Sequence, residues 1–180
     1  MKEVKVSGRR FKLAIPSTRI RQAVAEIAVS MNRDLKDKNV IFLGILNGSF
    51  MFASDLIRQI NFDCRISFVK LASYKGTSSS GIVKNLIGIN EELRNTTAVI
   101  LEDIVDTGQT LCTIVNQLKE FEPDEIRIAT LLFKPEAYRH TIKLDYIGIE
   151  VPNDYIIGYG LDYNGFGRNL EDIYVIADPE

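Results

Sequence analysis

The chain has 180 residues, a formal net charge of −2, 46% hydrophobic residues and 26% charged residues. A chain of this length suits a single domain with its own core, and this composition excludes disordered and collagen-like proteins. It has no long run of Lys or Arg, which argues against binding to nucleic acid or to a membrane surface by charge alone.

Apolar periodicity predicts helices and strands that alternate along the chain. A helical pattern opens at Ser17, a second follows Gly48, and a third has its apolar face between residues 111 and 121. Continuous apolar runs are typical of buried strands, and we predict strands at 40–46, 65–74, 98–105, 126–133, 146–151, 155–159 and 173–177. This alternation predicts an α/β fold with a mostly parallel central sheet flanked by helices.

The remaining local signals concern one loop and the two cysteines. Residues 75–81 read K-G-T-S-S-S-G, which predicts a surface loop. Cys64 and Cys112 match no metal-binding or redox spacing, and this cysteine usage favours a reducing compartment. We therefore expect a cytoplasmic protein without a signal peptide or a membrane-spanning segment.

The strongest functional signal is the segment 99–111, which reads V-I-L-E-D-I-V-D-T-G-Q-T-L. Ligands of parallel sheets bind beyond the carboxyl ends of the strands, and here such an end meets two acids, Glu102 and Asp103. Gly108 allows backbone N–H groups to converge on an anion, and the following helix adds its positive dipole end. Carboxylates suit vicinal hydroxyls or Mg²⁺. The segment predicts a site for a phosphorylated ribose, formed by Glu102, Asp103, Asp106, Thr107, Gly108, Gln109 and Thr110.

This segment resembles the phosphoribosyl pyrophosphate signature of the type I phosphoribosyltransferases. More closely, the chain resembles the hypoxanthine-guanine phosphoribosyltransferases over nearly all of its length. The further matching segments are L-N-G-S-F at 46–50, A-S-Y at 72–74, L-F-K-P at 132–135 and V-P-N-D-Y-I-I-G-Y-G-L-D-Y-N-G-F-G-R at 151–168. The last of these segments is specific to enzymes that act on 6-oxopurines.

The resemblance implies a fold and an activity. The fold is the type I phosphoribosyltransferase fold, in which a mostly parallel sheet flanked by helices carries a small hood. Residues 1–180 would form one domain, with the hood built from the N-terminal segment and about 152–180. The activity is a Mg²⁺-dependent transfer of the 5-phosphoribosyl group from phosphoribosyl pyrophosphate to hypoxanthine or guanine, which is a step of purine salvage. A homodimer or homotetramer is expected.

The resemblance also implies roles for individual residues. Asp106 matches the catalytic acid/base that faces N7 of the purine. The implied pyrophosphate contacts are Asn47, Gly48, Ser73, Tyr74 and Arg168, and the implied purine contacts are Lys134, Tyr155, Ile156 and Asp162. The implied Mg²⁺ ligands are Glu102, Asp103 and Asp162. A cis peptide bond is expected between Leu46 and Asn47, and residues from 73 onward match a lid over the site.

Two positions depart from the family pattern. Asn47 stands where many relatives carry Lys or Arg, which affects how tightly this chain holds pyrophosphate. The run 165–167, G-F-G, stands where some relatives have bulkier residues. His140, the single histidine, matches no motif, and without a second histidine or a cysteine partner a zinc site is not expected.

Several alternatives are compatible with the residues alone. Asp106 suits a helix cap as well as an acid/base, Lys134 suits a surface lysine whose stem is buried, and Tyr155 suits a core aromatic. D-T-G at 106–108 also occurs in aspartic proteases, but those are all-β and pair two such loops. A phosphoribosyltransferase-fold regulator would need a basic face, and a preference for xanthine is not decided by any side chain.

Overall fold

The computed structural model of the chain describes residues 2–75, 82–89 and 91–177. Its helices are α1 (Ser17–Leu35), α2 (Phe50–Ile57) and α3 (Gln109–Lys119). Its strands are β1 (Glu3–Val6), β2 (Arg9–Ile15), β3 (Val40–Ile45), β4 (Cys64–Lys75), β5 (Ile82–Ile87), β6 (Thr97–Val105), β7 (Glu125–Phe133), β8 (Tyr146–Glu150), β9 (Ile156–Ile157) and β10 (Ile173–Ile176).

The central sheet has the strand order β5-β4-β3-β6-β7-β8. The strands that run parallel are β4, β3, β6, β7 and β8, and β5 pairs antiparallel with β4 at the edge. Gly44 pairs with Leu101, and Val105 pairs with Phe133, so β3, β6 and β7 end at the same edge of the sheet. The predicted α/β fold class with its mostly parallel sheet is confirmed.

Helices cover both faces of this sheet. On β3, Phe42 packs into the cluster that contains the buried faces of α1 and α2, whereas Ile41 and Leu43 pack against α3. Because the strand is buried on both faces, all six of its residues are buried and its sequence is continuously apolar. The same burial explains why the strands in the middle of the sheet are readable from the sequence.

A second sheet has the order β1-β2-β10-β9 and joins the N-terminal segment to the C-terminal one. We call this sheet, with the loop 158–168 that follows β9, the hood. Its small core contains Phe11, Ile157 and Tyr174. Its strands β1 and β2 were not among the predicted strands, because they are half-exposed and alternate charged with apolar residues.

Other element boundaries also differ from the predicted ones. The strand predicted at 155–159 is reduced to β9, because Gly158, Tyr159 and Gly160 all have positive φ values. The strand β5 was not predicted. The loop predicted at 75–81 falls almost entirely outside the described residues, since only Lys75 is described, as the last residue of β4.

Asp172 joins the hood to the start of α1. Its Oδ1 accepts a hydrogen bond of 2.8 Å from the backbone N–H of Ser17, which satisfies one of the unpaired donors at that helix end. Its Oδ2 accepts hydrogen bonds from Lys2 Nζ at 2.6 Å and from the Tyr174 hydroxyl at 3.2 Å. The hydrogen bond from Lys2 and the one from the Ser17 backbone hold the pKa of Asp172 below its ordinary value.

We expect Asp172→Asn to lower the free energy of unfolding by about 1–2 kcal/mol at neutral pH, because a buried acceptor loses its charge. A depressed carboxyl pKa stabilises the fold above the ordinary Asp value of about 4, and this contribution is lost as the pH falls through the folded-state pKa. Urea unfolding from pH 7 to pH 3 measures the difference.

The matched control is Glu171→Gln, which removes an exposed carboxylate that pairs with Arg21 at the surface. We expect this control to unfold as the wild type does, since surface pairs contribute little. A gap between Asp172→Asn and the wild type that does not narrow below pH 4 contradicts the assignment.

Candidate active site

A cleft of about 290 Å³ lies beyond the carboxyl ends of β3 and β6. One wall is the loop after β3, with Asn47 and Gly48, and the other is the segment that joins β6 to α3. Of the seven residues expected to bind the phosphorylated ribose, all but Gln109 line it, namely Glu102, Asp103, Asp106, Thr107, Gly108 and Thr110. The parallel register brings these two loops together, as expected for α/β sheets.

Gly108 marks the turn into α3. Its φ of +86° lies in the left-handed region, and a Cβ at this position would lie 2.4 Å from Cε2 of Tyr138. Its carbonyl accepts the first helical hydrogen bond from Cys112 N at 2.9 Å. The N–H groups of the first turn of α3 lack intrahelical acceptors, and Gly108 and Thr110 line the cleft, which is the arrangement that binds phosphate.

Glu102 and Asp103 place two carboxylates in a largely desolvated part of the cleft. Glu102 is 7% exposed, and burial, with the negative charge of Asp103 next to it, raises its pKa well above the ordinary value. Burial also raises the pKa of Asp103 to about 6, although the Ile104 N–H donates to its Oδ1 at 2.9 Å. Neither carboxylate forms a salt bridge with another described residue, so both suit a ligand that brings positive charge or donors.

Two glycines let three segments approach closely at the other wall. A Cβ at Gly48 would lie 1.5 Å from Oδ2 of Asp103, and a Cβ at Gly160 would lie 2.0 Å from the carbonyl oxygen of Gly48. The hood loop therefore rests on the loop 46–49, which in turn rests on Asp103. The peptide bond between Leu46 and Asn47 is cis, as expected.

Lys134 and Asp106 meet at the edge of the cleft. Lys134 follows β7 directly, and its backbone N–H donates to the carbonyl of Val105 at 3.0 Å, which continues the pairing of β7 with β6. Its side chain is buried, with 8% of the residue exposed, and its Nζ lies 3.1 Å from Oδ2 of Asp106. The structure thus joins the expected purine-binding lysine to the expected acid/base.

The hood brings a second group of expected residues together outside this lining. Arg168 pairs with Asp162, with Nη2 and Oδ1 2.5 Å apart, and donates from Nη1 to the carbonyl of Gly160 at 2.6 Å. Tyr155 is 49% exposed and donates its hydroxyl to the carbonyl of Asp162 at 3.0 Å. Arg168 lowers and Asp162 raises the pKa of Asp103, so the charges of the hood act on the cleft.

The chain is similar to known proteins in both sequence and structure. The family model of the phosphoribosyl transferase domain matches residues 16–164. The hypoxanthine-guanine phosphoribosyltransferase of Streptococcus pneumoniae R6 is 35% identical over 93% of each chain, and that of Aquifex aeolicus is 31% identical over 99% of this chain and 100% of its own. The chain belongs to the hypoxanthine-guanine phosphoribosyltransferase family. The crystal structure of a hypoxanthine phosphoribosyltransferase from Staphylococcus aureus has a TM-score of 0.81 at 34% identity, over 92% of this chain and 90% of that one.

Some expected residues of this phosphoribosyltransferase lie elsewhere or are only partly described. Gln109 begins α3 and does not line the cleft, while Ile156 is half-buried in β9, where Val175 is its partner. Ser73 and Tyr74 belong to β4 and pair with Lys84 and Val83 in β5, but their side chains, like the lid residues 76–81, lie outside the described part of the chain.

Two residues of this enzyme that no sequence motif indicated lie next to Gly108. The rings of Tyr138 and His140 face Gly108, since a Cβ there would lie 3.0 Å from Cδ2 of His140. The N–H of Arg139, between them, donates to the carbonyl of Thr107 at 3.1 Å. The sequence indicated the position of these two residues only indirectly. The turn after β7 must lie beside the turn after β6, because the two strands are parallel neighbours.

Two further absences concern metals and membranes. Within residues 2–75, 82–89 and 91–177, no three His, Cys, Asp or Glu side chains come together as a preformed metal site. In the same residues no helix has the length and apolar character needed to cross a membrane.

Proposed function

We propose that this enzyme transfers the 5-phosphoribosyl group from phosphoribosyl pyrophosphate to a 6-oxopurine, hypoxanthine or guanine, giving IMP or GMP and pyrophosphate. The observation that carries the proposal is the 3.1 Å pair of Lys134 Nζ and Asp106 Oδ2 at the edge of a cleft with a phosphate loop. One protein donor and one carboxylate at this spacing match the neighbouring O6 and N7 positions of a 6-oxopurine base, where O6 accepts a hydrogen bond and the protonated N7 donates one.

Lys134 is proposed to select 6-oxopurine bases over adenine. An ammonium group donates to O6 of hypoxanthine or guanine, whereas adenine presents a donating amino group at the same position. Lys134 is buried, so an adenine amino group facing its Nζ would set two donors against each other with no acceptor between them. Tyr155, which is half-exposed, is proposed to stack on the base, and Ile156 to offer its backbone groups to the purine edge.

Asp106 is proposed to accept the proton that the purine base loses during the reaction. As the purine N9–C1 bond forms, the bond from C1 to the pyrophosphate oxygen breaks, and its electron pair leaves with pyrophosphate. The proton on N7 of the incoming base passes to the Asp106 carboxylate, which restores the neutral purine. The transition state is oxocarbenium-like, as in glycoside chemistry, so the other residues need mainly to position the reactants and to stabilise charge.

The two loops of the cleft are proposed to hold the two ends of the sugar substrate. The first turn of α3, with Thr107 and Thr110, offers donors for the 5-phosphate. Asn47 and Gly48 lie on the opposite wall, where their backbone N–H groups suit pyrophosphate, and Arg168 adds a fork of donors. Ser73 and Tyr74 are proposed to complete this side when the lid closes and excludes water.

Mg²⁺ is the proposed cofactor, and the donor set supports it. Glu102 and Asp103 supply hard oxygen ligands, neither forms a salt bridge with a described residue, and burial raises the pKa of both. Mg²⁺ commonly uses one or two carboxylates together with substrate phosphates and water. An incomplete protein site is therefore consistent with an ion that also contacts the sugar hydroxyls and pyrophosphate, and Asp162 is proposed to serve a second ion.

A product assay tests the proposal. The enzyme is incubated with phosphoribosyl pyrophosphate, Mg²⁺ and, in turn, hypoxanthine, guanine, xanthine and adenine, and the nucleotides are separated by chromatography. We expect IMP and GMP and no AMP. Formation of XMP at a higher rate than IMP or GMP favours the xanthine alternative, and absence of any nucleotide contradicts the proposal.

The alternative function, a nucleic-acid-binding regulator, has a separate test. A regulator would bind RNA or DNA with a strong dependence on salt concentration. The chain has a net charge of −2, and the relatives described above are named as enzymes. Filter binding with RNA at low and high salt distinguishes the two functions, and we expect no specific retention.

Lys134→Gln is expected to raise the KM for hypoxanthine about 10- to 100-fold, because a hydrogen bond from a charged donor contributes about 1.5–3 kcal/mol. The KM for phosphoribosyl pyrophosphate should change little, since Lys134 does not line the phosphate cleft. Initial rates at varied concentrations of each substrate measure both values.

Lys143→Gln is the matched control, because Lys143 is exposed and pairs with Asp145 at the surface. It should retain both KM values. An equal rise in both KM values for Lys134→Gln would mean that this lysine serves only the structure.

We also propose a single domain, a homodimer or homotetramer, and a cytoplasmic location. Exposed apolar side chains at Leu46, Phe50, Ile66 and Phe68 support association with another copy, and the two free cysteines support a reducing compartment. Light scattering after gel filtration gives the oligomeric state. One cooperative unfolding transition is expected for one domain, and cell fractionation tests the location.

A further inference from the structure

We infer that Tyr159 and Asp55 form a positioning pair that holds the hood loop 158–160 against the loop 46–49 and thereby sets the affinity for pyrophosphate. Neither residue lines the cleft, and no motif considered above assigns them a role. The inference rests on the proposed function, because it deepens the description of the leaving-group side of the same site.

The pair is a direct hydrogen bond between two segments that are distant in sequence. The Tyr159 hydroxyl donates to Oδ2 of Asp55 at 2.7 Å. Tyr159 is 5% exposed, and burial together with this bond raises its pKa above the ordinary value, so the hydroxyl remains a donor. The other carboxylate oxygen of Asp55, Oδ1, accepts a hydrogen bond from Arg58 Nη2 at the C-cap of α2, so both oxygens of this carboxylate have partners.

The hood loop has a defined backbone around Tyr159. Gly158, Tyr159 and Gly160 have φ values of +100°, +47° and +100°, and a left-handed tyrosine persists only where its surroundings impose it. The N–H of Tyr159 donates to the carbonyl of Leu170 at 2.8 Å, and the N–H of Gly160 donates to that of Arg168 at 3.0 Å. The loop is therefore a rigid piece whose position depends on what it rests on.

Gly160 lies between the two groups proposed to hold pyrophosphate. Its Cα faces the carbonyl of Gly48 so closely that a Cβ would lie 2.0 Å away. Its own carbonyl accepts from Arg168 Nη1 at 2.6 Å. A small shift of Gly160 would therefore change both the support under Gly48 and the position of the Arg168 guanidinium.

Asp55 stands on the same rigid unit as the loop 46–49. The Ser49 side chain donates to the carbonyl of Ile45 at 2.7 Å, and the N–H of Ala53 donates to the carbonyl of Ser49 at 2.8 Å. The loop thus passes without a break into α2, which carries Asp55 in its second turn. The hydrogen bond to Tyr159 ties the hood loop to this unit and fixes the spacing between Gly160 and Gly48.

Tyr159→Phe and Asp55→Ala each remove the bond, and we expect each to raise the KM for phosphoribosyl pyrophosphate about tenfold. The KM for pyrophosphate in the reverse reaction with IMP should rise by the same factor, while kcat and the KM for hypoxanthine stay near the wild type. Asp55→Asn keeps a carbonyl acceptor for the hydroxyl and should recover most of the loss. The double variant should lose no more than either single variant, since the pair acts as one contact.

The matched control is Tyr174→Phe, which removes another buried hydroxyl from the hood, one that donates to Asp172 and not toward the loop 46–49. Melting temperatures of all variants separate stability from affinity. We expect Tyr174→Phe to change only the melting temperature. If Tyr159→Phe changes kcat and all KM values together, in proportion to its loss of melting temperature, or leaves the KM for pyrophosphate unchanged, the inference is overturned.

Calorimetric titration of Mg²⁺-pyrophosphate into each protein distinguishes this inference from the proposed function. Wild-type binding that weakens about tenfold in Tyr159→Phe supports the pair even if no purine is converted, in which case only the proposed function fails. Equal binding by the wild type and Tyr159→Phe, or no binding by the wild type, overturns the inference.

Discussion

Asp106→Asn should lower kcat roughly 10²- to 10⁴-fold with little change in the affinity for phosphoribosyl pyrophosphate, which is the usual contribution of a positioned acid/base. Asn keeps the shape of the side chain and an oxygen that accepts from Lys134, but it takes no proton. A helix cap alone does not explain Asp106, because within the described chain the N-cap of α3 is Gly108 and no side chain caps it. The carboxyl is 46% exposed and free to reach a bound purine.

Single-turnover rates with hypoxanthine, and the KM for phosphoribosyl pyrophosphate, measure this effect, while thermal unfolding checks that the fold is intact. Asp124→Asn is the matched control, because Asp124 is exposed just before β7, at the opposite edge of the sheet. It should turn over as the wild type does. Near-normal turnover by Asp106→Asn would leave the enzyme without its named proton carrier.

The central sheet that carries the site could be predicted, because strands buried on both faces have continuously apolar sequences. β3, and β6 after Thr97, are continuously apolar until the cleft begins, and parallel strands must end at the same edge. That geometry alone places the turn after β6 beside the residue that follows β7. The meeting of Asp106 with Lys134, 28 residues apart, follows from this register.

The hood was harder to predict, because its strands are short and half-exposed. β2 carries three basic residues among seven, so its apolar positions give a weak alternation that also suits a surface loop. β9 has only two residues. The pairing of β2 with β10 joins chain segments more than 150 residues apart, and local spacing carries no information about such a contact.

Contacts made through backbone atoms are even harder to predict from the sequence. Gly160 rests on Gly48, and Gly48 on Asp103, but a glycine in a sequence indicates only that space or a positive φ is needed, not which segment fills it. The bond between Tyr159 and Asp55 joins residues 104 positions apart, and each residue alone is compatible with an ordinary core or surface position. These contacts required the structure.

Removal of divalent cations is expected to abolish turnover, and added Mg²⁺ to restore it without any need for zinc. Glu102 and Asp103 present two acidic side chains to the cleft, and burial disfavours the charged form of both, as their raised pKa values indicate. The pyrophosphate group of the substrate is itself strongly negative. Repulsion between negative groups in a partly buried cleft is only weakly screened, and we expect a bound cation to relieve it. Full turnover in the presence of a chelator contradicts the metal assignment.

The requirement for Mg²⁺ should also depend on pH and on each carboxylate. Because the pKa of Asp103 in the protein is about 6, protons compete with the ion below that pH, and the Mg²⁺ concentration that gives half-maximal rate should rise as the pH falls from 7 to 5. Asp103→Asn and Glu102→Gln should raise it at every pH. Asp63→Asn, an exposed carboxylate at the opposite edge of the sheet, should not, and a requirement that is the same in all three variants would place the ion elsewhere.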